Sequence, residues 1–154
     1  KAPVYPWLVG TSAAGVCALH LVSGIAAFRG YRDSDDAWLS VGKASDMIEG
    51  RAAIVRPRTG EAIAVFRHNN AVYAVSHVCR HQGGPLGEGR VIDGCITCPW
   101  HGFQYQLKDG RSPAPFSERI ATYQTKFDGD TVYVHTTPAA PGTPQAPTSL
   151  PEIQ

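Results

Sequence analysis

The chain has little net charge and few cysteines for its length. Its 154 residues carry 14 Lys and Arg against 13 Asp and Glu, a net charge of +1, and only 4 cysteines. No basic cluster stands out, so the composition argues against nucleic acid as a partner. The length leaves room for one core domain with appendages.

Charge is absent altogether from residues 7–28, WLVGTSAAGVCALHLVSGIAAF. As a helix this stretch would be about 33 Å long, enough to cross a bilayer core. It is longer than a typical signal-peptide core, and no A-x-A cleavage site follows it. The sequence therefore predicts a transmembrane helix over 7–28, between a flank at 1–6 and a linker at 29–37. A buried helix of a water-soluble domain is the alternative.

The predicted span is rich in small residues, which favours close packing against other helices of a larger membrane assembly. The chain begins at Lys1 rather than Met, so we expect it to be processed or part of a longer polypeptide. Arg29 and Arg32 follow the span and no twin arginine precedes it, which predicts that the following domain lies on the cytoplasmic side. His20, near the middle, is a candidate haem ligand or quinone neighbour, or a neutral histidine bonded to another helix.

Two short motifs combine thiol and imidazole side chains. Cys79-Arg80-His81 is a C-x-H pair, and Cys98-Pro99-Trp100-His101 is a C-x2-H pair. The sixteen residues 82–97 separate them, and glycines follow each motif. Glycines let the backbone approach a metal centre and direct N–H groups at its sulfurs. A two-iron cluster with thiolates on one iron and histidines on the other needs this set of donors.

The segments CRHQGGPLGEG and CPWHGFQY resemble the two cluster-binding loops of the Rieske [2Fe–2S] family. The resemblance implies a Rieske-type [2Fe–2S] cofactor, with Cys79 and Cys98 on the buried iron. His81 and His101 would bind the outer iron. High-potential members join the two loops by a disulfide, but here those places hold non-cysteine residues (Gly84 or its neighbours, and Trp100).

A structural zinc site is the simpler alternative, because Cys95 and Cys98 also form a C-x2-C pair. Zinc would leave either two histidines or one thiolate without a role. Cys95 also lies in a strand-like apolar run, so we interpret it as a free thiol in the core. Cys17 and Cys95 have very different surroundings, and no disulfide between them is expected.

Residues 38–136 predict short, regularly spaced strands, typical of an all-β fold. The predicted architecture is an antiparallel Rieske-type β-sandwich with a small cluster-binding subdomain at about 79–107, preceded by the single transmembrane helix. RAAIVR (51–56) and EAIAVFR (61–67) should pair, Asn69-Asn70 should turn the chain, and 120–126 should form a hairpin with 131–135. The Pro-rich residues 137–154 predict an extended tail held against a partner surface.

Several other residues are expected to tune or expose the cluster. Where high-potential relatives carry a serine and a tyrosine after the second histidine, this chain has Phe103 and Tyr105. One hydroxyl donor is therefore missing, and we predict a low to intermediate reduction potential. Pro113 and Pro115 resemble the family's cluster-covering segment. Arg80 and Trp100, beside the histidines, are candidate docking residues or structural ones.

Together these features predict a membrane-tethered electron-transfer subunit that passes single electrons between redox partners in a larger oxidoreductase complex. Its expected partners are integral-membrane and redox subunits, with no small-molecule substrate and no bond-making catalysis of its own. A respiratory, quinol-oxidising subunit and a zinc-stabilised binding module are the alternatives. An oxygenase is disfavoured, because no H-x3-4-H pair lies outside the loops.

Overall fold

The computed structural model describes residues 37–150, and this part of the chain is built from antiparallel strands. The strands are β1 (Trp38–Lys43), β2 (Ala52–Val55), β3 (Ile63–His68), β4 (Ala71–Ser76), β5 (Arg90–Ile92), β6 (Cys95–Thr97), β7 (Gln104–Gln106), β8 (Thr122–Tyr123), β9 (Thr125–Asp128), β10 (Thr131–His135) and β11 (Thr148–Ser149). The helices of the described residues are two short 3-10 turns, Ala44–Asp46 and Leu86–Glu88. The predicted all-β, antiparallel fold is confirmed.

The strands form three sheets. The first sheet has the order β1-β10-β9, and the second has the order β11-β4-β3-β2. Strand β8 also pairs with β4, so β8 and β11 follow one another along the same edge of β4. The third sheet, β5-β6-β7, is formed from the segment between and after the two cysteine–histidine motifs.

The second sheet is buried on both faces, which explains the continuous apolar run in β3. Ile63 and Val65 pack into a core shared with Val132 and Val134 of the first sheet. Their neighbours Ala64 and Phe66 point the other way and pack with residues of the third sheet and its loops. The predicted sandwich therefore carries a third layer, which holds the motif-bearing segment against the outer face of the central sheet.

Two tight turns position the motifs. Asn69 and Asn70 have φ values of 48° and 56°, as a type I′ turn requires, and they join β3 to β4. Asp93 and Gly94, with φ values of 50° and 76°, join β5 to β6 in the same way. Strand β4 then ends three residues before Cys79, and β6 ends immediately before Cys98. Both motifs thus lie at strand ends.

The C-terminal half differs from the sequence prediction in one pairing. The predicted strand 120–126 is divided, because Thr122–Tyr123 pairs with β4 whereas Thr125–Asp128 pairs with β10. The Pro-rich segment 137–150 lies against its own domain: Ala139 N–H donates to the Thr122 carbonyl at 2.8 Å, and Leu150 is buried. Residues 137–150 are therefore held by contacts with their own domain.

Residues 37–150 contain no helix long and apolar enough to cross a membrane. The predicted span at 7–28, with His20 and Cys17, lies outside the described residues. The predicted flank at 1–6 and most of the linker at 29–37 also lie outside them.

Candidate metal centre

The first motif folds into a loop, residues 79–85, that is closed by its own backbone. The Cys79 N–H donates to the Gly84 carbonyl at 2.9 Å, and the Cys79 carbonyl accepts from the Gly83 N–H at 2.8 Å. Gly83 has φ +75°, in the left-handed region that favours glycine. The chain therefore turns back on itself immediately after His81.

The second motif, residues 98–103, folds in the same way. The Cys98 N–H donates to the Phe103 carbonyl at 2.8 Å, and the Cys98 carbonyl accepts from the Gly102 N–H at 3.0 Å. Gly102, with φ +70°, takes the place that Gly83 has in the first loop. Each cysteine thus starts an equivalent turn that ends four to five residues later.

The four predicted ligands divide into two buried thiols and two exposed rings. Cys79 is 2% exposed and Cys98 is 3% exposed. His81 and His101 are both exposed, and their ring centroids lie 5.2 Å apart at an interplanar angle of 84°. The loops therefore bring the thiols together in the interior and the imidazoles together at the surface.

Backbone N–H groups reach the sulfur of the second loop. Burial raises the pKa of the Cys98 thiol, hydrogen bonds from the backbone N–H groups of Trp100 and His101 lower it, and the neighbouring Cys79 raises it. N–H donors aimed at a sulfur stabilise its anionic form, which is the form that binds metal. The net result is a raised pKa of the Cys98 thiol, chiefly because of burial, and the two N–H donors are the contacts that favour the thiolate.

Tyr105 contacts the first loop from below. Its hydroxyl oxygen lies 3.5 Å from the Cys79 sulfur and accepts a hydrogen bond from the Arg80 N–H at 3.0 Å. Burial, followed by the contact with Cys79, raises the pKa of Tyr105 far above its usual value. The phenol therefore keeps its proton near the sulfur, as expected of a residue that tunes a cluster.

Phe103 covers one face of the His81 ring, and Phe116 packs on Phe103. The Phe103 ring stacks on the His81 ring, with centroids 5.1 Å apart and planes 6° apart. Phe116 packs on Phe103 at 4.9 Å. Pro113 and Pro115 belong to the turn that presents Phe116, whose N–H donates to the Pro113 carbonyl. The proline-containing segment therefore reaches the site through Phe116, which packs on the ring that covers His81.

Arg80 and Trp100 differ in how they are held. Arg80 Nη2 pairs with Glu61 Oε1 at 2.9 Å, which ties the first loop to the start of the central sheet. Ser76 donates to the other carboxylate oxygen of Glu61 at 2.6 Å. Trp100 is 58% exposed and lies edge-on to His101, with ring centroids 6.4 Å apart. Both lie beside the histidines, as the docking interpretation requires.

His77 anchors the far end of the first loop. Its carbonyl accepts from the Leu86 N–H at 2.8 Å, and its Nδ1 accepts from the Gly87 N–H at 3.2 Å. Burial, and then the Arg56 cation, lower the pKa of His77. A Cβ at Gly87 would lie 2.8 Å from Nδ1, so only glycine fits there without displacement.

The two thiols and two imidazoles are the donor types that a two-iron Rieske cluster uses. Within residues 37–150, no group of three or more His, Cys, Asp and Glu side chains is placed to hold one metal ion. A Rieske cluster takes only two protein donors on each iron. Cys95 pairs with Gln106 in the third sheet, and its neighbour Ile96 is the residue of β6 that is fully buried. The paired thiols and paired imidazoles are consistent with the predicted iron–sulfur site.

The comparison with known families agrees with the site. The model of the Rieske [2Fe-2S] domain matches residues 37–124, more than half of the chain. The chain belongs to this family, and its cofactor is the Rieske-type [2Fe–2S] cluster predicted from the sequence. The predicted class of electron-transport protein is thereby confirmed.

The relatives include both large enzymes and small ferredoxins. Cholesterol 7-desaturase nvd of Xenopus laevis is 37% identical over 67 residues, 42% of this chain but only 15% of that protein. The ferredoxin subunit of anthranilate 1,2-dioxygenase from Burkholderia cepacia is 31% identical over 91 residues, 58% of this chain and 83% of that subunit.

Among solved structures, a similar chain comes from the complex of reduced oxygenase and oxidized ferredoxin in carbazole 1,9a-dioxygenase. It aligns with a TM-score of 0.64 at 27% identity and covers 69% of this chain and 99% of that chain. The likeness thus extends over essentially the whole of that chain.

The membrane localisation predicted from the sequence is wrong on these findings. Two relatives that this chain covers over 83% and 92% of their length are ferredoxins. No helix of residues 37–150 is long and apolar enough to span a bilayer, and the predicted span at 7–28 lies outside that range. The domain is therefore not assigned to a membrane or to its cytoplasmic side.

Sequence reasoning missed three residues that shape the site: Gly84, Glu61 and Phe116. A Cβ at Gly84 would lie 2.6 Å from the Cys98 sulfur, a contact between segments far apart in the chain. Glu61 pairs with Arg80 across a similar separation. Phe116 had a local signal, because it closes the proline-containing segment in which only the prolines were singled out.

Proposed function

We propose that the chain is the electron-transfer component of an oxygenase-type system and passes single electrons between redox partners. Cys79 and Cys98 bind one iron of the cluster through sulfur. His81 and His101 bind the other iron through ring nitrogens. The observation that carries this assignment is the pair of equivalent loops, which bury both thiols and expose both imidazoles at one end of the domain.

When bound, the cluster supplies a site that accepts and returns one electron. The protein's part is to hold the donors and to control their surroundings. Burial of Cys79 and Cys98 keeps water away from their sulfurs. The Tyr105 hydroxyl and the loop N–H groups place the positive ends of their dipoles near these sulfurs. The exposed imidazoles give a partner its shortest approach.

The proposed partners are an electron donor and an oxygenase that accepts the electrons. Support comes from the relatives that this chain covers almost completely, which include the ferredoxin subunit of a dioxygenase. A respiratory, quinol-oxidising role is opposed by Phe103, which stands where a hydroxyl donor would raise the potential. A measured potential above about +200 mV, near the top of the Rieske range, would contradict the proposal.

A pair of cysteine variants tests the ligand assignment. Cys98→Ser should abolish the absorbance and the reduced-state EPR signal of the cluster, because a buried donor is lost. Cys95→Ser should retain both, since this half-buried thiol three residues earlier is not a ligand. Purified protein should contain about two irons and two inorganic sulfides per chain.

The zinc alternative makes the opposite prediction. A zinc protein would be colourless and EPR-silent, and Cys95→Ser would lower its metal content as much as Cys98→Ser. Retention of a normal EPR signal in Cys98→Ser would also refute the ligand set. Loss of iron in both cysteine variants would place Cys95 among the ligands.

A further inference from the structure

The two cluster-binding loops are closed separately, so something else must fix one against the other. Among the described residues, no backbone hydrogen bond runs from residues 79–84 to residues 98–103. The equivalent bonds described above lie within each loop. Because the four donors are divided equally between the loops, a shift of one loop against the other would change the spacing of the donors.

Gly84 is where the backbone of the first loop meets the second loop. A Cβ at this position would lie 3.3 Å from Cδ2 and 3.4 Å from Cε3 of Trp100, and 2.6 Å from the Cys98 sulfur. The φ of Gly84 is not in the left-handed region, so this glycine is needed for space and not for backbone conformation. The absent side chain lets the indole and the thiol rest against the first loop.

Trp100 also contacts its own loop. Its ring lies edge-on to the ring of His101, while more than half of the side chain stays exposed. The indole thus lies against Gly84 of the first loop and near the ring of His101 in its own loop. An aromatic ring placed in this way adds dispersion contacts to both segments.

We propose that Trp100 is a positioning residue, and that its indole, packed on Gly84, latches the second cluster-binding loop to the first. The inference rests on the proposed ligand set, because the latch matters only if both loops carry ligands. Removal of the indole should let Cys98 and His101 move relative to Cys79 and release the cluster more readily.

The test compares Trp100→Ala with Ile48→Ala in the iron-loaded full chain. Ile48 is the control, since it is an exposed apolar residue (70%) that lies between the first 3-10 turn and β2, away from both loops. Cluster loss is followed as bleaching of visible absorbance during a chelator challenge. Trp100→Ala should lose the cluster about fivefold to tenfold faster than the control, the size expected for an aromatic contact.

Two conservative variants separate a latch from a general loss of folding. Trp100→Phe keeps an aromatic ring against Gly84 and should restore slow loss. Gly84→Ala keeps the indole but inserts a methyl group between the loops, so it should lose the cluster faster than the unaltered protein. In the reduced state, Trp100→Ala should broaden the EPR signal, because the loops take up several spacings, whereas Trp100→Phe should not.

The latch is overturned if Trp100→Ala and Ile48→Ala lose the cluster at equal rates and give the same EPR spectrum. It is also overturned if Trp100→Phe or Gly84→Ala gives the opposite result to that stated, even when Trp100→Ala fails to load iron. A role of Trp100 in docking alone would slow electron delivery to a partner without changing cluster loss. Failure of the ligand set is recognised separately, by the Cys98→Ser variant.

Discussion

Tyr105 is the residue whose polar contact with the site is most direct. Its hydroxyl contacts both the Cys79 sulfur and the Arg80 N–H, and burial raises the pKa of this phenol above its usual value. A hydroxyl hydrogen near a ligand sulfur stabilises the extra negative charge of a reduced cluster, which raises the reduction potential. The single tyrosine predicted to tune the site therefore has the geometry for that role.

We expect Tyr105→Phe to lower the reduction potential while the cluster is still bound. A neutral hydrogen bond contributes about 1 kcal/mol, which corresponds to about 40 mV for a one-electron couple. The measurement is an EPR-monitored redox titration. Tyr73→Phe is the control, because Tyr73 is a half-buried tyrosine of β4 that packs against the same core. An unchanged potential in Tyr105→Phe would remove this residue from the tuning set.

Tyr123 gives the fold a dependence on alkaline pH. Burial, followed by the Glu61 carboxylate, raises the pKa of Tyr123, and Arg80 partly opposes them. The folded chain then keeps the phenol proton at a pH where the unfolded chain has lost it. The stability linked to this group is complete below the unfolded pKa of about 10 and is lost as the pH rises through the higher folded value.

The free energy of unfolding should therefore fall more steeply above about pH 10 in the unaltered chain than in Tyr123→Phe. Urea unfolding between about pH 8 and about pH 11 measures both slopes. Tyr133→Phe, which alters a half-buried phenol of the first sheet, should keep the steep slope. Parallel curves for Tyr123→Phe and the unaltered chain would mean that Tyr123 titrates alike in the folded and unfolded states.

The tail segment 137–150 lies outside the family match and acts as a strap across the domain. The Thr122 hydroxyl donates to the Thr143 carbonyl at 2.7 Å, and Arg111 Nε donates to the Gly142 carbonyl at 2.9 Å. Strand β11 then extends the edge of β4 that β8 begins. The strap is thus joined to the base of the segment that presents Phe116.

Thr122→Val tests whether the strap stabilises the domain. The exchange keeps the shape of the side chain but leaves the Thr143 carbonyl without its hydroxyl donor, at a cost of about 1–2 kcal/mol in the free energy of unfolding. Thr143→Val is a matched control, because it changes an exposed side chain and keeps the carbonyl acceptor; we expect less than about 0.5 kcal/mol. Equal effects of the two exchanges on chemical denaturation would argue against the strap.

The features that the sequence predicted are those set by local chemistry. The apolar run in β3, the Asn69-Asn70 turn and the glycines after each motif act through neighbouring residues, so their patterns are readable without the fold. The proposed donor set can be predicted from the sequence for the same reason. Its four side chains fall within two short, closely spaced motifs.

The features that it did not predict depend on contacts between distant segments. In the sequence, Gly84 stands at or near a place where a cysteine is missing, and Trp100 is a docking or structural candidate. The local pattern does not predict that the Trp100 side chain lies against the Gly84 backbone. The local pattern of residues 120–126 predicts one strand. In the structure, Thr122–Tyr123 pairs with β4 of the second sheet and Thr125–Asp128 pairs with β10 of the first. Neither outcome has a signal in the local pattern.

Across residues 37–150, the central sheet lies between two hydrophobic cores, and one of these cores contains both proposed cysteine ligands. One face packs against the first sheet, and the other packs against the layer that holds the two loops. Both cysteines belong to this second core, so the ligands rest on a surface that is itself fixed from behind. A site supported in this way needs little reorganisation when an electron arrives, which suits a carrier.

The exposed end of the domain is the expected docking surface for a redox partner. Pro99, Trp100, Pro115 and Phe116 are exposed there and carry no charge. The exposed cation beside them, Arg80, is paired with the Glu61 carboxylate at 2.9 Å, and the chain as a whole has a net charge of only +1. We therefore expect association to rest on apolar contact and to change little with salt concentration.

Phe116→Ala should slow electron delivery to an oxygenase-type partner about threefold to tenfold, because truncating a central aromatic contact typically costs about 1 kcal/mol or more. Ile48→Ala is the control: Ile48 is 70% exposed and lies between the first 3-10 turn and β2, away from both motifs. Stopped-flow reoxidation at low and high salt measures both variants. If Ile48→Ala slows transfer as much as Phe116→Ala, or if salt changes the rate steeply, the partner docks on a different, charged face.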